Sequence, residues 1–435
     1  MLSYTSGTTG DPKGVKLTHR MQVSVAYAAQ TRVGCAIDPL DENDSFISYL
    51  PAAHSFEQAV NSLCFVYGMK MGFFAGNVLK LTEDIGILKP TFFPSVPRLY
   101  NRIYGKIQDR LKEATGMKGW LVQKAVAAKL HYLKNGQGYY HGVYDKLVFS
   151  KMKALLGGRV RLMLTGSAPI SAEVIDFLKI CFCAPLAEGY GMTETSAGSC
   201  FVFGNDPETG IVGGPVQNVK IVLRDIPEMG YLSTSTPPKG EICFWGPSIM
   251  KGYFKNEEKT REAFHEGWLL SGDVGMVLPN GAIKIVDRAK NIFKLSQGEY
   301  IAPEKLENVY VQSEYIMQVW VYGDSLRDHI VAFVVVDPER MAKYSKEKGK
   351  TFDDALMRDP ELMQTVFEDM LRLAAENKFN SLEKPKQLAL LKEAFSIEND
   401  LLTPTMKLKR NIAKQRFAQD IDRMYSMAPM APTKK

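Results

Sequence analysis

The sequence predicts an α/β chain: a mainly parallel sheet, then an antiparallel β subdomain, then a small α+β region. Three observations carry that prediction. Over the first two thirds, apolar β-rich runs alternate with helical patterns, the signature of strands covered by crossover helices. From about Lys220 the strands shorten and come with Gly, Pro and Asn turns such as Pro279-Asn280-Gly281, a texture of hairpins. After Lys290 a strand pair gives way to charged helical stretches.

Composition narrows the class. The chain has 435 residues, 45% of them hydrophobic and 23% charged, which suits a soluble globular protein of two or three domains rather than a disordered or fibrous one. The net charge, 54 − 48 = +6, is too mild to imply a nucleic-acid partner. The six cysteines (35, 64, 181, 183, 200, 243) stand mostly among apolar residues, so reduced, buried thiols and an intracellular location are expected. Cys181 and Cys183 lack the spacing and neighbouring His of a zinc site. Residues 1–14 are polar and Gly-rich and do not read as a signal peptide. The nearest approach to a membrane span, Asn61 to Gly76, is short and broken by Lys70.

Taken in order, Leu2 to Tyr4 reads as a short strand, and TSGTTGDPKG (Thr5 to Gly14) as a loop before a helix. Glycines let backbone N–H groups converge on an anion, hydroxyls add donors and Lys13 adds charge, so the loop suits phosphate. It is not a Walker A loop, because Pro12 stands where a second Gly belongs and Gly14 follows Lys13. Ser45 to Leu50 is a strand that leads into PAAHSFEQ, which places His54 in a loop; a lone His is usually structural. Arg98 to Arg159 is strongly basic, with only Asp109, Glu113 and Asp145 as acids. Within it, GWLVQKAVAAKLHYLK has apolar residues at helical spacing and lysines at 124, 129 and 134. The favoured reading is a surface helix packed by its apolar face; contact with an anionic membrane is the alternative.

Arg159 to Thr165 is a buried strand, followed by Gly166-Ser-Ala-Pro-Ile-Ser171 and a helix from Ala172 to Cys181, with Ser171 as its N-cap. GYGMTET (Gly189 to Thr195) ends a further strand. There Tyr190 can stack on a base, Thr193 can donate to phosphate and Glu194 can hold Mg²⁺; a tight turn with an exposed acid is the plainer alternative. LSGDVG puts Asp273 in a turn, where its carboxylate can bind both ribose hydroxyls or merely close an Asx-turn. DRAKNIFK (287–294) marks the boundary with the C-terminal region, and its charge suits a hinge or a solvated turn. Strands at 318–322 and 329–337, helices around 352–378 and one helix around 410–425 complete the chain. TPTMKLKR (403–410) sets Lys407 in a loop before a basic helix, otherwise a plain surface charge run. No Ser-His-Asp or Cys-His set is evident.

The motifs acquire meaning from their order. YTSGTTGDPKG, PAAHSFEQ, LTGSAPIS, GYGMTET, VGGP, GWLLSGD, VDRAKNIFKLSQGEYIAPEKLE and LTPTMKLKR resemble, in sequence, the motifs of the adenylate-forming (acyl-activating) enzymes. KLSQGEYIAPEKLENVY and FFPSVPRLYNRIY are similar to the long-chain fatty acyl-CoA synthetase branch. The resemblance runs from residue 3 to about 417. It implies the adenylate-forming fold: an AMP-binding large domain over 1–289, with its β subdomain at 220–289, and a mobile C-terminal domain over 290–435. It implies that ATP activates a long-chain fatty acid to acyl-AMP and that coenzyme A then takes the acyl group. Thr5, Ser6, Gly7, Thr8, Thr9, Gly10 and Lys13 would grip the β/γ-phosphates. Gly166, Ser167 and Ala168 would hold adenine with Tyr190 and Gly191. Thr193 would touch phosphate, and Thr8 and Glu194 would hold Mg²⁺. Asp273 would bind the ribose, helped by Arg288, and Lys290 would be the hinge. Lys407 would bridge the acyl carboxylate and the α-phosphate, with His54 near the carboxylate or the thiol path.

Two small departures, Ser271 for Thr and Ala289 for Lys, are tolerable. Family members carry a few hundred residues before the phosphate loop, so the expectation is that this chain is a piece lacking part of the first sheet. A surface contact with an endoplasmic-reticulum or other organelle membrane, on its cytosolic face, is the expected setting. The alternatives are another carboxylate-activating CoA ligase and a non-catalytic nucleotide- or acyl-CoA-binding fragment. Acyl chain length and oligomeric state lie beyond the sequence.

Overall fold

The structure, a computed structural model, describes residues 1–5, 12–35, 37–77, 80–202, 208–403 and 406–432. It divides into two compact units. One comprises Met1–Thr5, Lys13–Ser271 and Gly275–Ile285; the other is built on Val286 onward together with Gly272–Val274.

The first unit opens on a hairpin. Leu2–Tyr4 pairs antiparallel with Gly14–Lys16, in the register Ser3 to Val15. The expected order of strand, loop and helix therefore gains a second strand, and the helix His19–Gly34 starts only after it. Thr18 caps that helix: its backbone is extended and its hydroxyl accepts from the Met21 N–H at 3.3 Å, satisfying one orphan donor of the first turn. Ser45–Ser48 and Lys70–Phe73 run parallel, with the helix Ser55–Tyr67 between them in sequence. Phe92–Ser95, Leu162–Thr165 and Leu186–Tyr190 form a second parallel run. The same sheet ends in the antiparallel strands Cys200–Phe201 and Gly214–Pro215. Ser171 caps Ala172–Phe182 as expected, accepting from Val174 N–H at 3.3 Å. This helix is buried from Val174 to Phe182, with the charged Asp176 and Lys179 buried among its apolar residues.

The basic region forms the helices Pro97–Lys112 and Gly116–Lys134. One expectation there fails. Lys129, placed among surface lysines by spacing, is fully buried. Its ammonium donates to the Ile180 carbonyl at 2.6 Å and the Cys183 sulfur at 3.1 Å, pairs with Asp145, and lies 4.3 Å from the centre of the Phe149 ring. The helix packs with its Ala125–Lys129–Leu133 stripe inward, and a buried ammonium is tolerated because each donor direction finds a partner. Five cysteines are buried, but Cys35 is exposed at the C-cap of His19–Gly34.

Residues 220–288 carry an antiparallel sheet. Lys220–Arg224 pairs antiparallel with Lys239–Trp245, and the sheet continues through Trp268–Val277, with Phe264–His265 and Ile283–Arg288 beside it.

In the second unit, Ile316–Tyr322 pairs antiparallel with Val331–Val336, which runs parallel to Gln387–Leu391. Every residue of Val331–Val336 is buried. Ala332, Val334 and Val336 enter one apolar core, and Val331, Phe333 and Val335 enter another, as strand alternation requires of a central strand covered on both faces. Asp337-Pro338 and Asp359-Pro360 start helices in the same way, the carboxylate capping and Pro taking the first helical position. The single helix expected around 410–425 is two, Arg410–Arg416 and Ala418–Ser426, with Phe417 between them. Phe417 turns inward against Trp320, Phe333 and Phe395, and that packing sets the break.

Candidate functional site

In the first unit three segments meet around Glu194. Glu194 lies in a short 3-10 turn, Thr193–Thr195, directly after the strand Leu186–Tyr190. Its side chain is buried, and the Tyr253 hydroxyl donates to its carboxylate at 2.7 Å. The Met250 N–H donates to its backbone carbonyl at 2.8 Å. Lys13 stands over Tyr253, its ammonium 4.6 Å from the centre of the ring. Tyr253 is itself fixed by the first hairpin. Lys16 N–H donates to Gly252, and Phe254 N–H donates to Gly14, with an isolated bridge between Val15 and Tyr253. Burial and the Glu194 carboxylate push the Tyr253 phenol well above its ordinary value, so Tyr253 stays a donor throughout the working pH range.

The neck of the Gly-rich loop is closed by two bonds: Thr5 N–H donates to the Lys13 carbonyl and Lys13 N–H donates to the Thr5 hydroxyl, each at 3.0 Å. Ser6, Gly7, Thr8, Thr9 and Gly10 lie outside the described residues. The GYGMTET turn needs its glycine: a Cβ on Gly191 would stand 2.1 Å from the Ala197 carbonyl oxygen. Gly166 approaches the Gly189 carbonyl closely, at 3.2 Å from a built Cβ. Ser167, beside Ala168, takes φ 73, in the left-handed region. Strain of this kind collects at ligand-binding turns. Tyr190 keeps its ring 5.9 Å from Phe244, tilted by 43°.

His54 is the N-cap of Ser55–Tyr67, and its Nδ1 accepts from the Phe56 N–H at 3.2 Å. The Ser3 hydroxyl donates to Ala53 at 3.0 Å, which sets the His54 loop beside the strand leading into the Gly-rich loop. One turn further, buried Glu57 bonds Ser48, and burial pushes its carboxyl up to about 6.

In the second unit Asp273 and Arg288 pair, Nε to Oδ1 at 3.6 Å. Asp273 lies within the long strand Trp268–Val277 rather than in the turn expected from LSGDVG. Gly272, with φ 72, bends that strand locally, and its carbonyl accepts from Ala289 N–H at 2.8 Å. Lys290 is exposed, just past the Ile283–Arg288 strand. Lys407 sits in a tight reversal. Leu402 and Leu408 bridge antiparallel, Thr403 N–H donates to the Lys407 carbonyl at 2.8 Å, and Lys407 N–H donates to the Thr403 hydroxyl at 3.1 Å.

Two buried polar groups beside these motifs escaped the sequence reading. Tyr253 reaches Glu194 across 59 positions, and its only local signal is a Gly-Tyr pair after a strand. Glu188 begins as one more strand residue. Its Oε2 is buried and has no hydrogen-bond partner among the described residues, and burial, opposed by Lys179, pushes its carboxyl up to about 8. Among the described residues no group of three or more His, Cys, Asp or Glu could hold a metal. Glu194 is a single carboxylate, which fits Mg²⁺ held mainly by substrate phosphates.

Known proteins are similar to this chain over nearly its whole length. The AMP-binding enzyme family matches residues 1–254. Long chain acyl-CoA synthetase 7, peroxisomal, of Arabidopsis thaliana is 46% identical over 430 residues, covering 98% of this chain and 60% of the relative. Human long-chain-fatty-acid–CoA ligase 1 is 42% identical over 429 residues, covering 98% and 61%. The chain thus spans about 60% of the length of these curated relatives. Among solved structures, the adenylation domain of a carboxylate reductase from Mycobacterium chelonae superposes with a TM-score of 0.78 at 27% identity, covering 98% of this chain and 60% of that one. The corresponding domain from Segniliparus rugosus, in complex with AMP and a co-purified carboxylic acid, gives 0.76 at 29%, covering 98% and 61%. The chain has the adenylate-forming fold and belongs to the AMP-binding enzyme family.

Proposed function

We propose that this chain carries the ATP-dependent activation of a long-chain fatty acid to acyl-AMP and its transfer to coenzyme A. The observation that carries the reading is the 46% identity to a long-chain acyl-CoA synthetase over nearly the whole chain. The Glu194–Tyr253 bond in the first unit and the Asp273–Arg288 pair in the second, each within its own unit, support the residue roles of this reading. Lys13 and the Thr5-to-Gly14 loop grip the β/γ-phosphates, and Tyr190 with the Gly166–Ala168 turn receives the base. Asp273, steadied by Arg288, takes the ribose hydroxyls. Glu194, held by Tyr253, would hold Mg²⁺ together with Thr8, and the ion would supply charge neutralisation on the phosphates. The fatty acid carboxylate attacks the α-phosphorus, the α–β phosphoanhydride bond breaks and pyrophosphate leaves. Lys407 neutralises the charge that gathers between carboxylate and α-phosphate in that transition state. The coenzyme A thiol then attacks the acyl carbon, and AMP leaves. In this reading 1–289 is the AMP-binding domain and 290–435 swings about Lys290 between the two half-reactions. His54 borders the carboxylate or thiol path.

No helix among the described residues is long and apolar enough to cross a membrane. We place the protein inside the cell, at the cytosolic face of an organelle membrane, through a surface contact. Substrate dependence tests the reading: pyrophosphate release from Mg-ATP should rise with a C16 fatty acid and not with a small aromatic acid. The reverse preference would favour another carboxylate-activating ligase. ATP retained without release would favour a binding fragment.

A further inference from the structure

A side-chain cluster in the second unit links the Lys407 turn to the segment that begins the unit. Glu307, on the helix Pro303–Tyr310, accepts from Arg410 with both oxygens: Nη1 to Oε1 at 2.9 Å and Nη2 to Oε2 at 2.6 Å. Oε1 also accepts from Val321 N–H at 2.9 Å. The two side chains are 15% and 19% exposed. Arg410 is the first residue of the helix Arg410–Arg416 and stands three positions after Lys407. One turn earlier on the same helix, Asp287 accepts from Glu304 N–H at 3.0 Å, and it also accepts from Arg288 N–H at 2.6 Å. Glu304 in turn accepts from the Asn291 side chain at 2.7 Å. One short helix therefore holds the Lys407 turn through Glu307 and the Asp287–Asn291 segment through Glu304, one turn apart.

We propose that Glu307 and Arg410 are positioning residues for Lys407: their bidentate pair ties the foot of the Lys407 turn to the Pro303–Tyr310 helix, so that Lys407 follows the Asp287–Asn291 segment as one body. A bidentate guanidinium–carboxylate fork fixes direction as well as distance, which a lysine point charge does not. The Leu402–Leu408 reversal alone fixes the shape of the turn, not its attachment. Exposed pairs in the unit, such as Arg416 with Glu393 at 38% and 67% exposure, cannot set a direction in the same way. The inference rests on the role proposed above for Lys407. It assigns the pair to adenylation and not to thioester formation from ready-made acyl-adenylate.

The test uses the full chain and measures two half-reactions: fatty-acid-dependent exchange of pyrophosphate into ATP, and thioester formation from supplied acyl-AMP. E307Q keeps an acceptor for Val321 N–H but loses the charge; R410K keeps the charge but loses the fork. Each should lower exchange turnover by about tenfold to a hundredfold with little change in the KM for ATP, and leave the second half-reaction within about twofold of the parent. R410K combined with K407A should be no slower than K407A alone, because the pair acts through Lys407. R416Q should change neither. Where E307Q does not fold, R410K carries the test. Amide exchange over residues 401–409 gives a readout independent of turnover, faster in E307Q and R410K and unchanged in R416Q. Exchange activity lowered by K407A but untouched by E307Q and R410K would overturn the inference alone, as would unchanged amide protection in both variants. Activity indifferent to K407A would remove the role of Lys407, and the inference with it.

Discussion

Glu194 illustrates what a single residue needs. Its motif was legible, since an acid after Tyr-Gly-Met-Thr invites a cation, but its preparation was not. The Tyr253 donor arrives from a distant segment, with Lys13 over its ring, and no local periodicity announces either. Hydrogen bonds to a buried carboxylate contribute about 2 kcal/mol. Tyr253→Phe should therefore lower the melting temperature by several degrees and weaken Mg-ATP binding, measured by titration calorimetry. Unchanged binding would detach Tyr253 from the site. Glu188 makes a pH prediction. Its carboxyl is raised to about 8, so the unfolded chain releases that proton first as pH rises. Stability should fall from the ordinary glutamate range, about pH 4 to 5, up to about pH 8. Glu188→Gln should remove that fall. The variant's melting temperature, compared with the parent's, should gain steadily between those limits; a constant difference would show that Glu188 does not titrate in the fold.

At the scale of elements, strand runs and caps were readable because they are local. Ser171 is a cap by type and position, and Ser171→Ala should cost about 1 kcal/mol. Asp273 was misread because a Gly beside an Asp signals a turn, whereas here Gly272 bends a strand that continues. Lys129 was misread for a different reason: spacing reports which residues share a helix face, not which face a neighbour covers. Lys129→Met leaves Asp145 without its cation and the Ile180 carbonyl without its donor. The loss should reach about 3–5 kcal/mol, visible in denaturant unfolding. Gly191 is legible in hindsight through its crowding. Gly191→Ala forces the turn open against Ala197 and should reduce both stability and nucleotide binding.

For the whole molecule, the order of eight motifs carried more than any one of them, because each alone has a plainer structural meaning. The α/β class followed from alternation along the chain. What stayed hidden was long-range: the hairpin that brings Gly14–Lys16 to Tyr253, and the helix that joins Asp287 to Arg410. Both depend on contacts between residues far apart in sequence, which no window of the sequence contains. The central claim is that this chain uses Lys407 to join a fatty acid to the α-phosphate of ATP. The most direct measurement is fatty-acid-dependent pyrophosphate release from Mg-ATP, compared between the chain and Lys407→Ala. The account predicts release that depends on the fatty acid and falls on the order of a hundredfold in the variant; release equal in the two proteins would contradict it.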